Sequence, residues 1–379
     1  MIGALLGGLP LLIWLGLILA HGQFWRARVT DRGMPPPPRQ WPSVTAIVPA
    51  RNEVDVIARS IGSLLEQDYP GEFRVILVDD NSSDGTADAA RALNDDRLTI
   101  LSGAPLPAGW TGKLWALSQG IAAAERPEFL WLTDADIEHA PDTLRALVSR
   151  AEDGGLQLVS LMARLHCATW AERMLVPAFV FFFQMLYPFD RVNRPKGIGG
   201  AAGGCMLVRR TALERAGGIA AIRNALIDDC TFGALIKRHG RIWLGLTDRS
   251  RSIRPYRDIG SIAAMISRSA YAQLGYSPLM LIGTLLGLFL VFGAPPLLAL
   301  TGSGAGRIMA AMAWVLMALS FQPMLRFYHR SPLYGVALPL IGAFYAGCTL
   351  LSAWQHHRGR GGMWKGRAQA DTGNVGQGA

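Results

Sequence analysis

Cysteine is scarce: Cys167, Cys205, Cys230 and Cys348 are the only four in 379 residues, far apart and never in a C-x-x-C pair. That spacing fits neither a zinc site nor a disulfide framework, so the thiols read as small buried hydrophobes. Charged residues are also sparse, at 17% of the chain, while half of it is hydrophobic. There are 37 Lys+Arg against 28 Asp+Glu, a formal net charge of +9, yet no zinc-finger spacing or RNA-binding aromatic motif accompanies that excess. Many arginines flank apolar segments, which points to a membrane and a phosphorylated ligand and excludes nucleic acid as the expected partner. The first apolar run, Ile2 to Ala20, lacks the basic residues that precede a cleaved signal peptide; positive charge follows it, at Arg26, Arg28 and Arg32. It reads as a membrane anchor (residues 1–22) that leaves the next domain in the cytoplasm.

Long apolar runs are what the chain has in abundance. Besides Ile2–Ala20, the stretches Leu279–Leu300, Ile308–Gln322 and Leu333–Trp354 each approach the ~20 residues needed to cross a bilayer. Residues 276–355 are therefore expected to form a C-terminal transmembrane region. If all three of its segments span, the basic tail of residues 356–379, with Arg358, Arg360, Lys365 and Arg367, ends on the wrong side for the positive-inside rule. One segment is then re-entrant, with Pro295-Pro296 and Pro339 as the candidate breaks. The Gly-rich polar tail reads as disordered. Residues 23–42, with Pro35 to Pro38, read as a stiff linker. A further run, Met174 to Phe189, is either an interfacial helix presenting Phe179, Phe181, Phe182, Phe183 and Tyr187 to lipid or a buried core helix.

Between the anchor and the C-terminal region, residues 43–275 alternate short apolar runs with helical segments. Val44–Val48 ends in Pro49-Ala50-Arg51-Asn52-Glu53; Phe73–Val78 ends in Asp79-Asp80-Asn81-Ser82-Ser83-Asp84; Phe129–Thr133 ends in Asp134-Ala135-Asp136. Such alternation predicts an α/β domain with a mainly parallel sheet, and ligands of open α/β sheets bind outside the carboxyl ends of the strands. Acidic residues ending the strands therefore converge on one edge, where hard oxygen ligands suit Mg²⁺ or Mn²⁺ carried by a diphosphate. Asp79, Asp80 and Asp84 also suit turn formation and helix capping. His139 is expected to be solvated at the start of a helix beginning at Pro141. Gly199-Gly200-Ala201-Ala202-Gly203-Gly204 has almost no side chain and lets backbone approach a ligand closely; Arg209 and Arg210, just beyond it, are expected to begin a helix and face solvent. Asp228-Asp229 opens another predicted helix.

As an ordered set, Pro49 to Glu53, Val78 to Asp84, Gly112-Lys113, Asp134-Ala135-Asp136, Gly199 to Leu207 and Asp228-Asp229 resemble the membrane-anchored family 2 glycosyltransferases, over about Ser43 to Leu274. The layout, with an N-terminal anchor and an apolar C-terminal third, looks most like the hopene-associated glycosyltransferases, relatives of ceramide glucosyltransferases. The resemblance implies a GT-A nucleotide-sugar-binding fold, with Ala50, Glu53 and Asp80 holding uracil and ribose and Lys113 near the diphosphate or base. It further implies that Asp136 is the metal ligand, that Asp134 contacts ribose or a metal-bound water, and that Asp229 is the catalytic base, with Asp228 as cap or orienting group. The Q/R-x-x-R-W element of processive synthases is degraded to Met265-Ile266-Ser267-Arg268-Ser269, which leaves Arg268 as a candidate phosphate contact. The implied protein is a metal-dependent, inverting transferase moving one sugar from a UDP-linked donor to a lipid such as a hopanoid, at a bacterial-type inner membrane with its catalytic domain cytoplasmic. A processive polysaccharide synthase and an inactive membrane scaffold are the alternatives.

Overall fold

The computed structural model describes residues 2–358, 363–364 and 367–368. Most of the basic tail expected to be disordered, including Arg360 and Lys365, lies outside them. The described residues divide into two compact units, one built mainly from residues 29–165 and 192–254 and the other from residues 2–28, 166–191 and 255–358. This departs from a continuous 43–275 domain. The apolar Trp170–Leu186 helix and the residues from Pro255 onward belong with the membrane-type helices. Part of the expected linker also folds into the α/β unit: Asp31 is buried and paired with Arg249, and Thr30 bridges Leu246.

The α/β unit is built on an eight-stranded sheet. Its strands are β1 (Val44–Ala50), β2 (Phe73–Asp79), β3 (Leu98–Ser102), β4 (Phe129–Thr133), β5 (Ile137–His139), β6 (Leu158–Arg164), β7 (Cys205–Arg209) and β8 (Ile242–Ser252), in the spatial order β3-β2-β1-β4-β7-β6-β8-β5. The first four are parallel and β1 is buried throughout, as expected of a strand covered on both faces. The helix Val54–Leu65 packs Ile57, Ile61 and Leu64 inward, a spacing that keeps one face apolar. Asp84 binds the start of two helices, accepting from Val54 N (3.1 Å) and from Thr86 N (3.0 Å).

Two strand reversals shape the ligand edge. β7 runs antiparallel to β4 with Cys205 opposite Thr133, so the glycine run that enters β7 lies beside the Asp134-Ala135-Asp136 segment that leaves β4. β5 runs antiparallel to β8 with Ile137 opposite Ser252, which sets Asp136 beside the end of β8.

His139 corrects the expectation of a solvated residue: it is 3% exposed within β5. Its ring lies 2.9 Å from both Thr133 Oγ1 and Ser250 Oγ, and burial pushes its pKa down to about 3, leaving a neutral imidazole with satisfied partners. The arginines after the glycine run are only partly exposed, and each is paired. Arg209 ends β7, lies over the Phe129 ring and pairs with Glu152 at 2.7 Å, while Arg210 opens the Arg210–Arg215 helix and pairs with Glu214 at 2.9 Å.

In the helical unit, Gly3–Ala20, Trp170–Val192, Pro278–Thr301 and Gly304–Phe327 are long and apolar enough to cross a membrane. Trp170–Val192 is 56% buried against 17% for Gly3–Ala20 and for Pro278–Thr301, which makes it the inner helix of this set. Phe181 is buried and meets Phe24 and Phe321, and Phe182, half-buried like Phe179, Phe183 and Tyr187, meets Phe292 and Tyr345. Pro295-Pro296 does not break the Pro278–Thr301 segment. A π-helical turn at Phe289–Gly293 precedes it, and Val291 O, whose ordinary helical partner would be the absent N–H of Pro295, accepts from the Trp14 indole at 2.8 Å.

The last helix, Leu338–His357, starts part-way along its neighbour. After Phe327 the chain folds back on its own helix, with Gln322 donating to Pro332 O (3.1 Å) and Trp314 donating to Val336 O (3.2 Å). The Leu338–His357 helix then runs past Phe292, which Gly342 touches, to stack His356 on Tyr276 at the head of the Pro278 helix. This segment thus returns to the end of the bundle from which it set out.

Candidate functional site

At the end of β1, Ala50 is buried and its carbonyl accepts from Asp80 N at 2.8 Å, which joins the ends of β1 and β2. Arg51 NH1 donates to Asp80 O (2.5 Å) and stands 3.9 Å from its carboxylate. The Asp80 side chain is 3% exposed. Its neighbours in sequence do turn work instead: Asp79 accepts from Ser82, and Asp84 holds the two helix starts. Of the three carboxylates, Asp80 is the one that stands beside Arg51 at the joined ends of β1 and β2.

Glu53 and Asp136 share one partner that the sequence did not single out. Arg254, just past β8, donates through NH2 to Glu53 Oε2 and through Nε to Asp136 Oδ2 at 3.0 Å. Burial opposes the guanidinium charge, but Asp136 and Glu53 outweigh it and raise its pKa. Lys113 makes the matching bridge on the other side, 2.8 Å from Asp134 Oδ1 and 3.0 Å from Asp228 Oδ2. Burial disfavours its charge too, yet Asp134 and Asp228 hold it protonated above the ordinary lysine range. The pKa of Asp134 is raised, first by burial and then by Asp136, against the pull of Lys113. Two bridged clusters, Glu53–Arg254–Asp136 and Asp134–Lys113–Asp228, thus unite residues from the ends of β1, β4 and β8 with two helix starts.

Asp229 lies next to Asp228, at the head of the Asp228–Lys237 helix. Its Oδ2 accepts from Gly203 N at 3.1 Å and its Oδ1 from Cys230 N at 2.7 Å. Burial first, and the neighbouring Asp228 carboxylate second, raise its pKa to about 6, partly offset by Lys113. Asp228 directs its carboxylate to Lys113, and the helix has no side-chain cap hydrogen bond. The helix is seated by close backbone approach: a Cβ on Gly233 would stand 2.5 Å from the Gly200 carbonyl carbon, and one on Gly199 would stand 2.3 Å from Ala234 Cα. Ser160 Oγ pins the glycine run from beneath, accepting from Ala202 N at 2.8 Å.

Of the sequence-derived candidates, Ala50, Glu53, Asp80, Lys113, Asp134, Asp136, Asp228 and Asp229 all belong to the α/β unit. Arg268 belongs to the helical unit, exposed at the C-terminal cap of the Ile259–Ser267 helix, where a cation complements the helix dipole. Among the described residues no three His, Cys, Asp or Glu side chains form a protein-only metal cage. Two Asp carboxylates one residue apart nonetheless fit a hard cation that completes its shell with phosphate oxygens.

Residues 45–217 match the family model of glycosyl transferase family 2. The chain carries a family 2 glycosyltransferase domain. Over 184 residues this chain is 32% identical to a beta-monoglucosyldiacylglycerol synthase of Trichormus variabilis, covering 47% of this chain and 38% of that protein. Over 159 residues it is 35% identical to the succinoglycan biosynthesis protein ExoO of Rhizobium meliloti, covering 38% of this chain and 44% of that one. The chain thus spans less than half the length of either curated relative. Among solved structures it is similar to the mannosyltransferase PcManGT of Pyrobaculum calidifontis in complex with GDP-Man and Mn²⁺, at 22% identity and a TM-score of 0.58, over 93% of this chain and 96% of that one. That likeness establishes a GT-A-like α/β fold for the glycosyltransferase domain.

Proposed function

We propose that this protein is a membrane-bound, inverting glycosyltransferase that moves a single sugar from a nucleotide donor, UDP-linked, to a lipid acceptor of the hopanoid class. The observation that carries the reading is the meeting of Asp134, Asp136, Asp228 and Asp229 around Lys113 and Arg254 at the ligand edge of the sheet. Asp229 takes the proton of the acceptor hydroxyl as that oxygen attacks the anomeric carbon; the bond to the diphosphate breaks on the opposite face and its electron pair leaves with the nucleotide. A raised pKa suits a carboxylate that must accept a proton near neutrality. Gly203 N–H fixes the direction of that carboxylate, and Lys113 holds Asp228. Ala50, Glu53 and Asp80 bind the nucleoside, with Asp80 positioned to accept from the N3–H of uracil. Asp136, with Asp134, holds Mg²⁺ or Mn²⁺, which when bound neutralises charge on the departing diphosphate.

The lipid acceptor is supported by the apolar helices and by the named activity of the diacylglycerol-glucosylating relative; the hopanoid rests on overall layout. In this reading Gly3–Ala20, Pro278–Thr301 and Gly304–Phe327 cross the membrane and the Leu338–His357 segment is re-entrant. Arg26, Arg28, Arg326, Arg330 and Arg358 then share the cytoplasmic end of the bundle, in accord with the positive-inside rule. The direct test supplies membranes with labelled UDP- and GDP-sugars, separately, and extracts lipids. One labelled glycolipid is the expected product; a long polymer, or no transfer from any donor, overturns the reading. Asp136→Ala with an intact fold is expected to lose the joint binding of UDP and Mn²⁺, and parental binding would remove Asp136 from the metal role.

A further inference from the structure

We propose that Arg254 is an internal counter-cation that keeps the metal seat closed until a nucleoside diphosphate draws it away, so that the protein takes a divalent ion weakly by itself and tightly only together with the nucleotide. The inference rests on the reading of Asp136 as metal ligand and adds to it the order of binding. Asp136 Oδ2 is engaged twice, by Arg254 Nε at 3.0 Å and by Ser252 Oγ at 3.4 Å, and the same guanidinium grips Glu53. A metal ion on Oδ2 and the guanidinium compete for the same lone pairs, and their positive charges repel. The backbone cannot carry Arg254 off, because Ile253 N donates to Asp136 O at 2.9 Å and β5 is paired to β8 at that point. The side chain alone must move. A diphosphate offers the one partner that matches what the guanidinium gives up, since its forked donors bind phosphate oxygens as readily as carboxylates. Lys113 has the same relation to Asp134, at 2.8 Å. In the free protein both carboxylates of the acidic pair are therefore matched by protein cations.

The apparent affinity for the ion falls by the fraction of molecules in which the carboxylate is released, and any ligand that captures Arg254 restores it. Mn²⁺ binding, followed by electron paramagnetic resonance on the full-length protein in detergent, reads this without turnover. The parent, Arg254→Met and Arg254→Lys are each titrated with Mn²⁺ alone, with UDP and with GDP. The expected result is that Arg254→Met binds nucleotide-free Mn²⁺ about tenfold or more tighter than the parent, with a smaller gain on adding nucleotide, and that Arg254→Lys falls between. The lysine keeps Glu53 opposite a positive charge and carries the comparison if a thermal melt shows the methionine variant unfolded. Nucleotide-free affinities in both variants equal to the parent's, while the parent still takes Mn²⁺ with UDP or GDP, overturn the role of Arg254 and leave the metal reading standing. Absence of Mn²⁺ binding by every form, nucleotide included, removes the metal reading of Asp136 and this inference with it.

Discussion

Gly233→Ala adds one methyl group, one helical turn from Asp229, that meets backbone rather than a reacting atom and should nonetheless disable transfer. The added Cβ would stand 2.5 Å from the Gly200 carbonyl carbon and 2.7 Å from Ala201 N, backbone atoms that no rotamer change can move aside. An ordinary carbon contact is about 3.5 Å, so the Asp228–Lys237 helix must retreat from the glycine run by about 1 Å. Asp229 rides at the head of that helix and its Oδ2 is aimed by Gly203 N–H, on the run being vacated. An error of about 1 Å in a reacting group costs on the order of 100-fold in rate, and the overpacking costs roughly 1–3 kcal/mol of stability. The variant should thus show kcat lowered about 100-fold with nucleotide binding near parental, because Glu53 and Asp80 sit on other elements. Gly62→Ala is the control: it lies inside the Val54–Leu65 helix with nothing within 4 Å of the new methyl, and should be neutral or slightly stabilising. A Gly233→Ala protein with parental kcat, or one that loses nucleotide binding in step with kcat, would refute the idea that this contact aims the base.

Asp229→Asn should cut kcat by roughly 10²–10⁴-fold while leaving nucleotide affinity intact, as measured by single-turnover transfer alongside calorimetry. The base must be unprotonated to act, and its pKa is raised to about 6, so kcat/KM should climb as pH rises through about 6 and level off above it. A limb near the ordinary aspartate range of about 4 would exclude Asp229. The same raised pKa means that the folded state holds the proton more tightly than the unfolded chain, so this group's ionisation costs stability as pH rises from about 4 to 6. Asp229→Asn should therefore melt higher than the parent above that window and close to it below, and an equal melting temperature at pH 8 would count against the shift. Glu172, fully buried in the helical unit, accepts from His166, from Ala168 N and Thr169 N at 2.8 and 2.7 Å, and from Tyr256 N at 2.7 Å; Glu172→Ala should destabilise by about 3–5 kcal/mol in thermal melts, and a shift below about 1 kcal/mol would show these bonds to be replaced by water. A topology reporter fused after Arg358 should respond on the same side as one inserted in the α/β unit, and opposite responses would rule out the re-entrant segment.

The sheet was legible because its parallel strands are short, mostly apolar runs, Val44–Val48, Phe73–Val78 and Phe129–Thr133, each followed by acidic residues that mark the ligand edge. The carboxylates were legible for the same reason. What escaped was set by pairing between distant segments. Ile137–His139 is too short to announce a strand, and only its pairing with β8 buries His139 beside Ser250. Arg254 has no local signature among its many arginine neighbours; it matters because antiparallel register places Ile137 opposite Ser252. The Met174–Phe189 run is apolar around most of its circumference, so periodicity could not tell a lipid-facing helix from one enclosed by other helices; the contacts of Phe181 and Phe182 settle which neighbours it has. Arg209 and Arg210 looked like surface residues because the acids that pair with them, Glu152 and Glu214, can be assigned only once the strand and helix are docked.

The indole of Trp14 answers a backbone oxygen that proline leaves orphaned 277 residues later in the chain. A tether that only held the protein at a bilayer could be exchanged for any greasy peptide of equal length, but this one supplies a hydrogen bond that lipid cannot. Shortened versions made for solubility by deleting the N-terminal helix would therefore uncover a polar group in an oily setting, and are expected to yield a bundle that is loosened at the π-turn.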